Sequence, residues 1–288
     1  MNIGPIDQER SWLKAVTIAL FVLIAIIAHT NIARADILFQ NVQTGAIQDW
    51  ALNGVQQSGN TALPNPGSSE WKIVGSGDFT GDTLPDLLLQ STSTGQLVYW
   101  AMSGTQLRSW GYINPTNPGA GWKVVAVADL NRDGHPDIIF QNQNTGDLVY
   151  WLMNGFNLIR WGYLVYPGSA SWTVVGTGDF NRDGNQDLLL QDRQSGTLVY
   201  WEMNGTSLVS WSNLSPNSPG AQWRVVGVGD LNNDGFPDVV FQNTFSGQLA
   251  YWLLNGVTEI SAGNIQPTTP GAGWSAVLVW TPQSIRPF

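Results

Sequence analysis

Three nine-residue segments carry the most specific chemistry in the chain. Asp129-Leu-Asn131-Arg-Asp133-Gly134-His135-Pro-Asp137 recurs as Asp179-x-Asn181-x-Asp183-Gly184-Asn185-x-Asp187 and as Asp230-x-Asn232-x-Asp234-Gly235-Phe236-x-Asp238. Oxygen side chains at positions 1, 3, 5 and 9, with Gly at 6, wrap a hard cation at ~2.3–2.6 Å. Position 7 (His135, Asn185, Phe236) would supply its backbone carbonyl, so its side chain is free to vary. Three carboxylates and one amide suit Ca²⁺, which takes several oxygens in loose geometry, better than the tight octahedron of Mg²⁺. The alternative is three solvated Asp-Gly turns without metal, in which close carboxylates would repel one another. A weaker copy, Asp78-x-Thr80-x-Asp82-Thr83-x-x-Asp86, keeps three acids but has Thr in place of Asn and of Gly. The expectation is three calcium loops, with a fourth at the weaker copy.

These loops sit inside a repeat. Each copy ends in Asp-x-x-x-Gln, at 36–40, 86–90, 137–141, 187–191 and 238–242, in steps of 50, 51, 50 and 51. A Trp opening an apolar run recurs at Trp71, Trp122, Trp172, Trp223 and Trp274. The last copy stops at Phe288, the position before the repeated aspartate, and the first begins on that aspartate at Asp36. Joining the two ends gives a ring in which the C-terminus completes the unit that the N-terminus begins. In the fifth unit the loop positions are Thr281, Gln283 and Ile285, so only Asp36 of that site survives.

Within a unit, residues 122–128, 137–141, 148–153 and 157–164 read as four short strands. Asn154-Gly155 is a tight-hairpin signal between the third and fourth, and no segment has helical periodicity. Four antiparallel strands in ~50 residues describe a β-propeller blade. The fold class is therefore all-β: a five-bladed propeller of four-stranded antiparallel blades, with 274–280 supplying the innermost strand of a blade begun by 36–62. An open solenoid would need polar capping repeats, and none is apparent. The fifth and seventh positions of the inner strand are small in four copies (Gly75 and Gly77, Ala126 and Ala128, Gly176 and Gly178, Gly227 and Gly229), as a crowded five-bladed axis requires. In the closing strand they are Leu278 and Trp280. Either that blade packs differently or Trp280 plugs the channel.

Residues 1–35 read as a secretion signal. Arg10 and Lys14 precede the apolar run 15–28, too short to span a bilayer, and Ala33-Arg34-Ala35 is a small-x-small cleavage site. The propeller is then 36–288, secreted or periplasmic, with no membrane span after cleavage. The chain has no Cys, which excludes disulfides and lipid attachment. Its net charge of −9 argues against binding nucleic acid.

The loops and the following Asp-Leu-Leu-Leu-Gln resemble the FG-GAP or VCBS-type repeat, the calcium-loop blade of the integrin α-subunit propeller and of many secreted bacterial proteins. The resemblance covers all of 36–288. It implies a propeller with calcium in loops on one face, serving structure more than catalysis. The integrin ring has seven blades, whereas five short, Trp-rich blades are more similar to the tachylectin type of sugar-binding propeller.

The catalytic inventory is thin. Past the leader the one His is His135, inside a metal loop, and 12 of 19 acids belong to the four loops. Asp49, Glu70, Asp147, Asp192, Glu202 and Glu259 share no short motif, though a paired-carboxylate glycosidase stays open. The expectation is a binder, not an enzyme. Trp50, Trp100, Trp151, Trp201 and Trp252 recur in the third strand, and like the inner-strand set they suit packing between blades. Trp110, Trp161 and Trp211 occur in the outer strand of only three units, beside Arg108, Tyr112, Arg160 and Tyr163. Aromatic rings there would stack on the apolar faces of sugars, so these seven residues are the ligand candidates. The reading is a lectin-like module for a surface glycan, or alternatively a scaffold or adhesion module for a cell-surface protein.

Overall fold

In the computed structural model, residues 35–281 are described, and they form twenty strands in five antiparallel sheets. The leader reading falls almost wholly outside the described residues, as do Gln283, Ile285 and Phe288. The first sheet joins β1 (Asp36–Asn41), β2 (Ile47–Asn53) and β3 (Gln56–Leu63) to the last strand of the chain. The second comprises β4 (Trp71–Gly77), β5 (Asp86–Ser91), β6 (Leu97–Ser103) and β7 (Gln106–Tyr112). The third comprises β8 (Trp122–Ala128), β9 (Asp137–Asn142), β10 (Leu148–Asn154) and β11 (Asn157–Tyr163). The fourth comprises β12 (Trp172–Gly178), β13 (Asp187–Asp192), β14 (Leu198–Asn204) and β15 (Ser207–Asn213). The fifth comprises β16 (Trp223–Gly229), β17 (Asp238–Asn243), β18 (Leu249–Asn255) and β19 (Thr258–Asn264), and β20 (Trp274–Trp280) returns to the first.

The innermost strands touch in cyclic order: β4 on β8, β8 on β12, β12 on β16, β16 on β20, and β20 on β4. The fold is therefore a closed five-bladed propeller, not an open stack. β20 pairs with β1 from Asp36↔Trp280 to Asn41↔Trp274. Strand limits match the sequence reading to within a residue. The tight turn of the third blade is Gly155-Phe156, one residue later than the Asn154-Gly155 signal, with Asn154 paired to Asn157. Gly155, at φ +58°, takes the first turn position, where a primed hairpin turn needs positive φ.

Packing between blades explains the small residues of the inner strand. A Cβ on Gly75 would lie 2.4 Å from Cγ2 of Val127 in the next blade, and one on Gly176 would lie 2.4 Å from Cγ2 of Val228. The crowding is blade against blade. In the closing strand the sizes reverse: Trp280 is bulky, and Ser76 stands in β4 where Val127 and Val228 stand in their strands. Trp280 is buried with Leu38, Ile73 and Leu87 between the first and second blades, and its indole N–H donates to Asp49 Oδ1 at 2.9 Å. It packs between blades and does not plug the axis.

The Asp-x-x-x-Gln marker is a pair of staples. The Gln reaches the inner strand of the next blade: Gln40 Nε2 donates to the Trp71 carbonyl at 2.7 Å, and Gln90 donates to that of Trp122 at 3.1 Å. The backbone N–H of Val124 returns a bond to Gln90 Oε1 at 3.1 Å. The same amide joins the fifth blade to the closing strand, with Ala276 N–H donating to Gln242 Oε1 at 3.0 Å. The Asp ties its strand to the third strand of its own blade, accepting from the N–H of Leu52, Met102, Met153, Met203 and Leu254 at 2.8–3.0 Å.

Candidate functional site

In the second to fifth blades, the loop that joins the innermost strand to the second strand lies at one end of the ring. In the third blade, Asp129 accepts from the backbone N–H of Asp133 and Gly134 at 3.1 and 2.9 Å. Asn131 Oδ1 accepts from Asp133 N–H at 3.1 Å, and Asp133 Oδ1 accepts from His135 N–H at 2.9 Å. Asp179, Asn181 and Asp183 repeat this pattern in the fourth blade, with Asn185 at position 7. Asp230, Asn232 and Asp234 repeat it in the fifth, with Phe236 at position 7. Three loops of one sequence thus take one conformation. Their position-9 aspartates, Asp137, Asp187 and Asp238, are fully buried, each also accepting from a loop N–H (Leu130, Phe180 and Leu231).

These donors are oxygens throughout, the hard set that suits Ca²⁺. Asp129, Asn131, Asp133, Asp137 and the carbonyl of His135 could hold the ion in the third blade, and the matching residues could do so in the other two. Among the described residues, no three acidic or histidine side chains converge closely enough to enclose an ion. In this arrangement the carboxylates cap loop amides. Burial pushes Asp137, Asp187 and Asp238 up to about 6, and neighbouring loop carboxylates push the same way. Their ordinary unfolded value is ~3.9. A raised carboxylate favours the folded state when protonated. That stability is full below about pH 4 and is lost as pH rises through about 6. Without calcium, the melting temperature should fall between those limits. With calcium, which needs the ionised form, the trend should reverse. Melting curves over that range, with and without chelator, test this. A chelated protein indifferent to pH would contradict it.

The weaker loop has a distinct defect. Asp78 accepts from the N–H of Gly81, Asp82 and Thr83, so the turn forms. Thr80 N–H donates to Asp86 at 2.9 Å. Thr83, however, sits at φ +69°, where the other three loops have Gly at +83° to +85°. A β-branched side chain there is strained by ~1–2 kcal/mol. Thr83→Gly should raise the melting temperature by about 2–4 °C. A lower melting temperature would show that the Thr side chain contributes more than its backbone costs.

Sequence reading missed the links between loops. Arg132, at position 4, donates from Nη2 to the carbonyl of Asp183 in the next loop at 2.9 Å. Arg182 does the same to Asp234 and lies 3.4 Å above the Phe236 ring centroid. The signal was present as Arg at the same position of two successive copies.

The aromatic residues divide as the sequence suggested, with one difference. Third-strand Trp50, Trp100, Trp151, Trp201 and Trp252 are buried, whereas the inner-strand set is only half-buried. Outer-strand Trp110, Trp161 and Trp211 are 59%, 56% and 64% exposed. The ring centroids of Trp110 and Tyr112 are 5.9 Å apart, as are those of Trp161 and Tyr163. Trp110 and Tyr112 line a groove of about 340 Å³ with Trp71, Trp100, Asn65 and Pro66, the last two from the loop leaving the first blade. Arg108 is not in it: Arg108 is the bulged residue of β7, and it donates to Ser103 Oγ at 3.0 Å with Asp82 3.9 Å away. Arg160 is exposed on β11 across from Leu152.

Geometry and repeat together define a five-bladed β-propeller built from acidic-loop blades. The FG-GAP-like repeat profile matches residues 78–140, 129–190 and 179–241, which together span more than half of the chain. The chain belongs to the FG-GAP-like repeat family. A chain in the crystal structure of a nidogen/laminin complex is similar in fold, with a TM-score of 0.53 at 13% identity. That match covers 85% of this chain and 97% of the other. The Tc holotoxin pore of Photorhabdus luminescens gives a TM-score of 0.44 at 15% identity, over 84% of this chain and 12% of the toxin chain. No curated protein sequence matches the chain. Among the described residues, no helix is long and apolar enough to cross a membrane.

Proposed function

We propose that this chain is an exported, calcium-stabilised propeller that binds a surface glycan and does not catalyse a reaction. One observation carries the reading: an exposed Trp–Tyr pair on an outer strand, over a groove of two further Trp and an Asn side chain. Aromatic faces take the apolar C–H side of a sugar, and a few polar groups fix its orientation. The Trp–Tyr pair recurs in the third blade, and several similar sites on one rigid ring gain avidity on a multivalent surface. Oxygen-only loops favour calcium as a stabilising ion, not as a catalytic one. The leader-like residues 1–35 support a secreted or periplasmic location.

A second reading is a scaffold that binds a protein. It is favoured by Ile159, Val209 and Ile260, apolar residues exposed at the outer-strand bulge of three successive blades. The structure of similar fold comes from a complex of nidogen with laminin. Screening the calcium-loaded protein on a glycan array separates the two: saturable binding to a sugar class is expected, and a blank array would move the assignment to a protein partner.

A further inference from the structure

At the end of the ring opposite the acidic loops, the axis opens into a cavity of about 670 Å³. Its wall is formed by the third and fourth residues of all five inner strands, which are Val, Ile and Ala in every blade. Its rim carries Lys123, Arg193 and Arg224. These cations are unusual in a chain of net charge −9. Among the described residues the one ion pair within 4.0 Å is Arg108–Asp82, at the other end, so the three rim cations have no carboxylate partner at that distance. Of the acids in the strands and turns at this end, Asp192 accepts from Ser171 and Ser195, Glu70 from Ser91 and Ser93, and Asp147 from Thr145. Arg224 is fixed in place, donating from Nη1 to the carbonyls of Ala221 and Trp223 and from Nη2 to that of Arg193 at 2.8 Å. Thr173, only 9% exposed, also lines the cavity, and its Oγ1 has no hydrogen-bond partner among the described residues.

We propose that this cavity binds a small ligand bearing a carboxylate on an aliphatic body. The carboxylate would meet the rim cations, which have no carboxylate within 4.0 Å among the described residues. The aliphatic part would fill the Val-lined axis. The site is separate from the aromatic groove and does not depend on the glycan reading. Octanoate, titrated calorimetrically into the calcium-loaded protein, is the probe. Saturable binding of one octanoate per chain is expected, weakening as salt rises, because exposed charges are screened within ~10 Å at 0.1 M and ~3 Å at 1 M. Octanol, lacking the charge, and butyrate, lacking the body, should each bind about tenfold more weakly or worse. Lys123→Gln and Arg193→Gln should each weaken octanoate several-fold and leave octanol unchanged. Trp161→Ala should leave octanoate unchanged, so failure here and failure of the glycan reading are distinguishable. Absence of saturable octanoate binding, equal affinity for octanol, or parental affinity in both Gln variants would each overturn the proposal.

Discussion

Removing residues 274–288 should leave an insoluble chain. β20 is the innermost strand of a blade whose other three strands come from the opposite end of the sequence. Its loss bares the backbone edge of β1, a ready template for intermolecular pairing. It also uncovers Ile37, Leu38 and Phe39, now fully buried, each worth ~1.5–3 kcal/mol when hidden from water. Those three alone approach the whole stability of an ordinary domain, ~5–15 kcal/mol. The adjoining staple from Gln242 to Ala276 disappears too. Trp280→Ala is the milder companion: it empties the space between the first and second blades and removes the indole hydrogen bond to Asp49, at a cost of ~3–5 kcal/mol. Solubility and cooperative melting of both variants check this. A soluble, cooperatively melting truncation would contradict closure by β20.

Chelation should lower the melting temperature sharply if the loops hold calcium. An ion bound only to the folded chain stabilises it by ~2.7 kcal/mol per site at a hundredfold over its dissociation constant. Three such sites, taken as additive, sum to roughly 8 kcal/mol, comparable with the stability of the whole domain; the Arg132 and Arg182 links between loops add coupling to that sum. Asp133→Ala, Asp183→Ala and Asp234→Ala should each remove about a third of the chelator effect while changing the chelated protein little. Asp137→Ala should differ. Its carboxylate also accepts from Leu130 and Met153 N–H inside the blade, so its loss destabilises with or without the ion. Scanning calorimetry in calcium and in chelator distinguishes the two patterns, and a melting temperature indifferent to chelator would remove calcium from the account.

The blade plan was legible in the sequence because each strand carries its own local marker. Trp122 opens an inner strand, Asp137 opens the second, and a Gly-containing pair sets the hairpin. The purpose of the marker was not legible. Gln90 bonds to Trp122, 32 residues away and in another blade, so neither partner looks unusual beside its neighbours. Trp280 was ambiguous for the same reason: its place depends on Asp49 and on the blade that holds Ile73. The exposure of Trp110, Trp161 and Trp211 was legible from their partial recurrence, since a residue needed for packing would appear in all five blades. Arg108 stands outside the groove because β7 bulges there, and a bulge re-aims its side chain. The rim cations belong to different blades, and only ring closure gathers Lys123, Arg193 and Arg224 at one opening.

The claim that this propeller binds sugars through its outer-strand aromatics is tested most directly by one paired measurement on Trp110→Ala: affinity for a glycan selected by array, and melting temperature, on the same calcium-loaded sample. At 59% exposure, Trp110 has surface available to a ligand and adds little to the core. Affinity is expected to fall by about tenfold or more while the melting temperature stays within a few degrees of the parent. Unchanged affinity with a large drop in melting temperature would assign Trp110 to packing and contradict the binding site.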